Sequence, residues 1–147
     1  MSKHKLDMGD LTENFFEDTR LLGLVAPVSD YQLCWHLNNE LRFNFRNNPD
    51  ITIPLKKKNL DTIFYFTVSE CREQYSALAH YLYNNHFKGE YLLPDMKKLD
   101  YIWLMKGDTV SDDFINNLVE MVTELSCVRM VVELNPGTMK HKGNLIF

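Results

Sequence analysis

"YSALAHYLYNN", residues 75 to 85, is the stretch whose reading decides the fold. Tyr75, Leu78, Ala79 and Leu82 recur at helical spacing, while Tyr75, Ala77, Ala79, Tyr81 and Tyr83 share one side of a period-two strand. As a strand, the stretch extends a sheet whose surface needs covering. As a helix, it becomes a third element available to cover that sheet. Its own residues leave both readings open, so the flanking elements carry the argument.

On the amino-terminal side, "RLLGLVA" (20–26) is apolar at successive positions, as a strand buried on both faces should be, and Pro27 stops it. "SDYQ" (29–32) has capping-box spacing, with Ser29 as the cap and Gln32 reaching back. Leu33, Leu37 and Leu41, with Cys34 beside them, then form the inward stripe of a first helix. "LRFNF" (41–45) alternates and predicts a strand ended by the turn residues "RNNPD", and "TIFYFTV" (62–68) predicts another.

On the other side, "GEYLL" and "LDYIWLM" predict two short strands. A second helix follows, capped by Thr109 with Asp112 in box register or by Ser111. Its expected core stripe is Phe114, Leu118, Met121 and Leu125, with Ile115 and Val122 alongside. "CVRMVVEL" (127–134) predicts a last strand before "NPG".

The order β-α-β-β-β-β-β-α-β follows if residues 75–84 are a strand. It predicts an α+β, two-layer fold: a mainly antiparallel sheet of six or seven strands with two helices on one face. One domain over residues 1–147 is expected, with 1–15 and 137–147 as loosely ordered tails.

A short motif lies between the two strand-like runs. Leu93-Pro94-Asp95, three residues, then Leu99-Asp100-Tyr101 resembles the signature of the bacterial IPExxxVDY family. It keeps the proline, the second aspartate and the tyrosine, and has Leu for Ile, Asp for Glu and Leu for Val. "KHKL", "SDYQLCWHLN" and "NLIF" are similar to other parts of that family. The resemblance implies strands at residues 75–84, which decides the opening question in favour of strand. It implies no activity, cofactor or catalytic residue.

Read physically, Pro94 ends a strand because it cannot donate to a ladder. Asp100 is placed to accept amides and hold a turn shut, and Tyr101 adds ring area with a polar tip. The competing reading, Asp95 and Asp100 as a carboxylate pair in a pocket, is the weaker of the two.

Composition narrows the functional classes. A net charge of −4 and a pI near 5.7 argue against nucleic acid as the main partner. Cys34, Cys71 and Cys127 are widely spaced, with no C-x-x-C, so neither a disulfide framework nor a zinc ribbon is indicated and a cytoplasmic location is expected. The start "MSKHKLDMGD" has no apolar run behind its basic residues, so no secretory signal is expected. No run approaches the roughly 20 apolar residues that span a bilayer, and no membrane association is expected.

The six glycines fall no closer than six residues apart, which removes the dinucleotide fingerprint and the P-loop. No cofactor and no metal are expected. Cys34 and His36 lie two apart on a helix, pointing to nearly opposite sides. His80 and His86 lack a third ligand at suitable spacing. Lys56, Lys57 and Lys58 read as a solvated turn.

The most informative feature is the area of the sheet. Two helices about 10 Å wide cover roughly four strands spaced about 4.8 Å apart. Tyr65, Tyr81, Tyr83, Tyr101 and Trp103 are the candidates for an exposed aromatic face. Either that face is an interface, or the sheet folds over it and the rings form a second core; both outcomes stand. The first gives the expected function, a non-enzymatic interaction domain that forms homo-oligomers or binds another protein. One alternative is an RNA-binding module stacking bases on the same rings. The other is an enzyme whose site assembles in space from residues such as Asp95, Asp100 and His80.

Overall fold

The computed structural model describes residues 12–56 and 61–147. Its eight strands are β1 (Arg20–Val25), β2 (Arg46–Lys56), β3 (Ile63–Arg72), β4 (Ala79–Asn84), β5 (His86–Phe87), β6 (Glu90–Tyr91), β7 (Tyr101–Lys106) and β8 (Met130–Leu134). Helix α1 (Asp30–Glu40) follows β1, and α2 (Asp112–Thr123) follows β7. Six strands form one sheet in the order β2-β3-β4-β7-β1-β8, and every neighbouring pair is antiparallel. The fold is α+β, with the first and second cores on opposite faces of this sheet.

The opening stretch divides. Residues 79–84 are a central strand, buried almost throughout, whereas residues 75–77 turn and Tyr75 points into solvent at φ 63°. Alternation wins over the helical spacing because both faces of β4 are covered, so successive apolar side chains all find partners.

The predicted strand at residues 41–45 does not form. Asn38, on α1, donates through Nδ2 to the Phe45 carbonyl at 3.0 Å and accepts the Phe45 amide at 2.7 Å. That side chain takes both groups a neighbouring strand would have used, and Phe45 turns into the helix-side core. The ladder begins at Arg46 instead, and "RNNPD" lies within β2 as an irregularity between Asn47 and Thr52. An edge strand tolerates this, because Pro49 falls among the residues the ladder skips and so removes no ladder bond. "GEYLL" is likewise reduced to Glu90–Tyr91, paired with His86–Phe87 across a tight turn in which Lys88 and Gly89 both have positive φ.

Helix ends follow the sequence closely. The Ser29 hydroxyl accepts the Gln32 amide and the Gln32 side chain accepts the Ser29 amide, both at 3.2 Å. Ser111 is the cap of α2, accepting the Phe114 amide at 3.1 Å. The stripe of α2 runs through Ile115, Leu118 and Val122, continued by Leu125 just past the helix end, and Met121 is rotated outward to 42% exposure.

The first core lies between the helices and the sheet. Leu33 and Leu37 of α1 and Leu118 and Val122 of α2 pack there with Leu22, Leu24 and Trp103 of the sheet. His80 is fully buried in it, with Nε2 at 2.9 Å from Glu73 and Nδ1 accepting the Trp103 indole N–H at 3.0 Å. Rings of Phe43, Phe45 and Phe114 surround it, and Glu73 is the ionisable group that meets it. Burial holds the imidazole pKa below its ordinary value, and Glu73 offsets this only in part.

A prediction follows with a definite sign. The unfolded imidazole takes a proton near pH 6.5 and the folded one only at lower pH. The unfolded state therefore binds more protons in that window. Stability should fall as pH drops through it, by at most about 1.4 kcal/mol per pH unit. Urea unfolding at pH 7.5 and 5.5 measures the loss. His80→Gln, which still offers Trp103 an acceptor, should show a smaller loss than wild type; an equal loss would clear His80 as its source.

The second core lies on the opposite face. Phe16, Leu92, Leu93, Met139 and Leu145 close over Phe66, Val68, Tyr83 and Leu104. The segment expected as a tail supplies part of this cover. Leu145 is fully buried, its carbonyl accepts the Tyr83 hydroxyl at 2.7 Å, and Asn144 donates to the Leu92 carbonyl at 2.8 Å. The side-chain methyls of Leu99 lie directly over Gly23, where a Cβ would sit 2.5 Å from Leu99 Cδ1.

Candidate functional site

Register decides which rings are available. Tyr81 pairs with Leu104 and Tyr83 with Ile102, and all four face the second core. Trp103 pairs with Leu82 and Tyr101 with Asn84, one residue out of phase, so Trp103 and Tyr101 face the helices. The five candidate rings therefore lie on two faces rather than one. Tyr81, Tyr83, Tyr101 and Trp103 are buried, each at 5% exposure or less. The second core is the outcome realised, with cover supplied by irregular chain as well as by the sheet, and these four rings form no exposed interface.

Tyr65 differs. Its side of β3 is the helix side, but the helices do not reach it: Thr67 beside it, Pro54 opposite it and Thr52 opposite Thr67 are all exposed. The helix-side core draws its sheet residues mainly from β8, β1, β7 and β4, leaving β2 and β3 as an open ledge. Helix α1 forms the wall beside this ledge. Leu33 and Leu37 point inward, so Tyr31 and Trp35, four apart, stand on the opposite side of the helix. Tyr31 is 77% exposed, Tyr65 54%, Trp35 50% and Phe87 38%.

Two clefts lie along the junction. One of about 490 Å³ is lined by Ser29, Asp30, Tyr65, Phe87, Asp100 and Tyr101, among others. The second, of about 390 Å³, is lined by Tyr31, Trp35, Asn38 and Ser69, among others. Asp30 and Thr67 line both, which makes them one groove.

The polar contacts fix its walls. Asn84 donates to Asp30 at 3.1 Å and to Thr67 at 3.3 Å. Asp100 Oδ2 accepts the Ala26 amide at 2.8 Å, and the Tyr101 hydroxyl donates to the Val28 carbonyl at 2.5 Å. The motif pair Asp100-Tyr101 thus ties the end of β7 to the segment that leads into α1. Asp100 holds that neighbouring segment rather than its own turn. Burial, and then the carboxylates of Asp30 and Asp100, raise the Tyr101 phenol far above its ordinary pKa.

The rest of the motif supports the fold. Leu93 and Leu99 are in the second core, Pro94 is exposed in the connection, and Asp95 bonds to His141 at 3.0 Å. That histidine holds the Asp95 carboxyl below its usual range. The trio Asp95, Asp100 and His80 does not assemble. His80 lies opposite Met105 while Asp100 lies beyond the other end of β7, roughly 15 Å of strand away.

Cys34 is half-buried with its thiol pKa raised by desolvation, which disfavours a nucleophilic thiolate. His36 bonds to Glu40, four residues along α1. His86 lines the groove while His80 is in the first core, and no group of three metal-ligating side chains occurs among the described residues. Lys56 is exposed at the end of β2; Lys57 and Lys58 lie outside the described residues.

Asp30, Tyr31, Trp35 and Phe87 are groove residues that the sequence reading did not single out. A signal existed for two of them: Tyr31 and Trp35 occupy the side of α1 opposite its leucines, where a solvated helix usually carries polar residues. No family model, no curated protein and no solved structure matches this chain.

Proposed function

We propose that this chain is a non-enzymatic binding domain that takes a segment of another protein in the groove between α1 and the β2–β3 ledge. One observation carries the reading. Four large rings, exposed by more than a third of their surface, stand around one continuous groove, whereas the other rings of the central strands are buried. Exposed Tyr, Trp and Phe around a cleft are what interface cores are enriched in. Tyr81, Tyr83, Tyr101 and Trp103 are buried, so of the five rings expected to serve self-association or base stacking only Tyr65 stands exposed. The likeness at residues 93–101 to the IPExxxVDY motif adds no activity to this reading. Free thiols at Cys34, Cys71 and Cys127 fit a reducing compartment such as the cytoplasm. No helix among the described residues is long and apolar enough to cross a membrane.

Peptide selection on the immobilised protein tests the proposal. Selected peptides should share a pattern and bind Trp35→Ser or Tyr65→Ser about tenfold or more weakly, as loss of an aromatic anchor costs more than about 1.4 kcal/mol. Both variants should unfold within about 0.5 kcal/mol of wild type, since exposed side chains contribute little to stability. Peptides that bind both variants as tightly as wild type would place the binding surface elsewhere.

A further inference from the structure

We propose that the larger cleft is an arginine pocket: it takes the guanidinium of an arginine side chain on the bound segment. This rests on reading the groove as a peptide site, and it names the residue that anchors the peptide. Two carboxylates converge on the cleft from separate elements, Asp30 from the first turn of α1 and Asp100 from the residue before β7. Asp100 uses Oδ2 on the Ala26 amide, and Asp30 uses Oδ2 on Asn84 and Oδ1 on the Tyr31 amide. These bonds fix both carboxylates in place without neutralising them. Among the described residues, no lysine or arginine lines either cleft, so none of them supplies a counterpart to that charge within the groove.

The remaining walls include the rings of Tyr65, Phe87 and Tyr101. A guanidinium is planar, stacks on ring faces and hydrogen-bonds a carboxylate in the same pose, which an ammonium does less well. A cation already rests on one ring of the lining: exposed Lys88 holds its ammonium 5.1 Å from the centroid of the Phe87 ring. The raised Tyr101 phenol, pushed up in part by Asp30 and Asp100, agrees with a negative potential on the cleft floor. A volume of about 490 Å³ admits the head of a long side chain together with part of the backbone that carries it.

The test uses two small probes on the full-length chain labelled for amide NMR: N-acetyl-arginine methylamide and its neutral isostere, N-acetyl-citrulline methylamide. The arginine probe should shift the amides of Val28, Ser29, Asp30, Tyr65 and Thr67. The citrulline probe should bind at least about fivefold more weakly, as should the arginine probe to Asp30→Asn, the scale of losing a partly exposed ion pair. Raised salt should narrow the difference between the probes. Equal shifts from both probes, or arginine shifts unchanged in Asp30→Asn, would overturn the arginine pocket. Should the arginine probe give no shifts while groove-selected peptides still lose affinity with Trp35→Ser, the pocket falls and the peptide groove stands. If those peptides are also indifferent to Trp35→Ser, both readings fall.

Discussion

Replacing Trp103 with alanine should cost about 3–5 kcal/mol, the range for deleting a large buried aromatic side chain. Trp103 is fully buried, with the rings of Phe43, Phe45 and His80 centred 5.2, 5.2 and 5.6 Å from its own. Alanine leaves a cavity there and also strips His80 Nδ1 of its donor. A chain of this size is stabilised by about 5–15 kcal/mol, so the variant should show a much lower urea midpoint or fail to fold.

Trp103→Phe separates the two contributions. It keeps much of the ring area while removing the indole N–H, so it should cost about 1–3 kcal/mol, the desolvation cost of an unpaired buried acceptor plus some lost packing. The same variants test the placement of the ring. A Trp103→Ala protein with unchanged stability would mean that the indole is not in the core and would reopen the sheet face as an interface.

Asn85→Ala should be comparably damaging, although it removes far less apolar area. Asn85 is fully buried just after β4. Its Nδ2 donates to the carbonyls of Leu99 at 2.8 Å and Met96 at 3.0 Å, and its Oδ1 accepts the Leu93 amide at 2.8 Å. Its backbone joins the same network, accepting from Leu92 and donating to the Asp100 carbonyl. One side chain thus satisfies the backbone of a connection that carries no ladder of its own.

Alanine leaves the Leu99 carbonyl and the Leu93 amide without these partners in a buried site, while the Met96 carbonyl keeps the Leu99 amide. At about 1–3 kcal/mol each, the loss should be at least about 2 kcal/mol. Asn85→Asp should not rescue it, because a carboxylate can still accept from Leu93 but meets the two carbonyls with no donor. Amide exchange adds a local readout: the Leu93 amide should lose protection ahead of the β1 and β7 ladders. Protection lost uniformly across the sheet would mean that the connection is not held separately by Asn85.

The misreadings of the sequence have specific causes. "LRFNF" alternates as a strand does, but Asn38, seven residues before Phe45, takes its backbone bonds; local alternation carries no information about that competitor. Tyr81 and Tyr101 both lie in strongly apolar runs, and their separation onto two faces depends on the β4–β7 register, fixed by pairing partners about twenty residues apart. "GTMKHKGNLIF" is polar enough to read as a tail, and only the covering of Tyr83 and Leu104 by Leu145 makes it part of a core. The motif at 93–101 was legible as structural, and Asp100 does act as a lock, but on the Ala26 amide at the end of the neighbouring strand.

Local chemistry in the sequence was enough to determine the capping of α1 by Ser29 and Gln32, the helix stripe through Leu33 and Leu37, the doubly buried character of β1 and β7, and the α+β class. Each depends on spacing within a few residues, where backbone geometry leaves few choices. The footprint of two helices also implied, by simple width, that they would cover only about four of six or seven strands. Only the tertiary structure decided that β2 and β3 would be left open beside the helices, and that the other face would be closed by the chain's own irregular segments. That choice rests on strand order and register, which are set by burial and hydrogen bonding between distant residues. The groove beside Tyr65, with Asp30 and Asp100 at its larger cleft, exists only once those pairings are made.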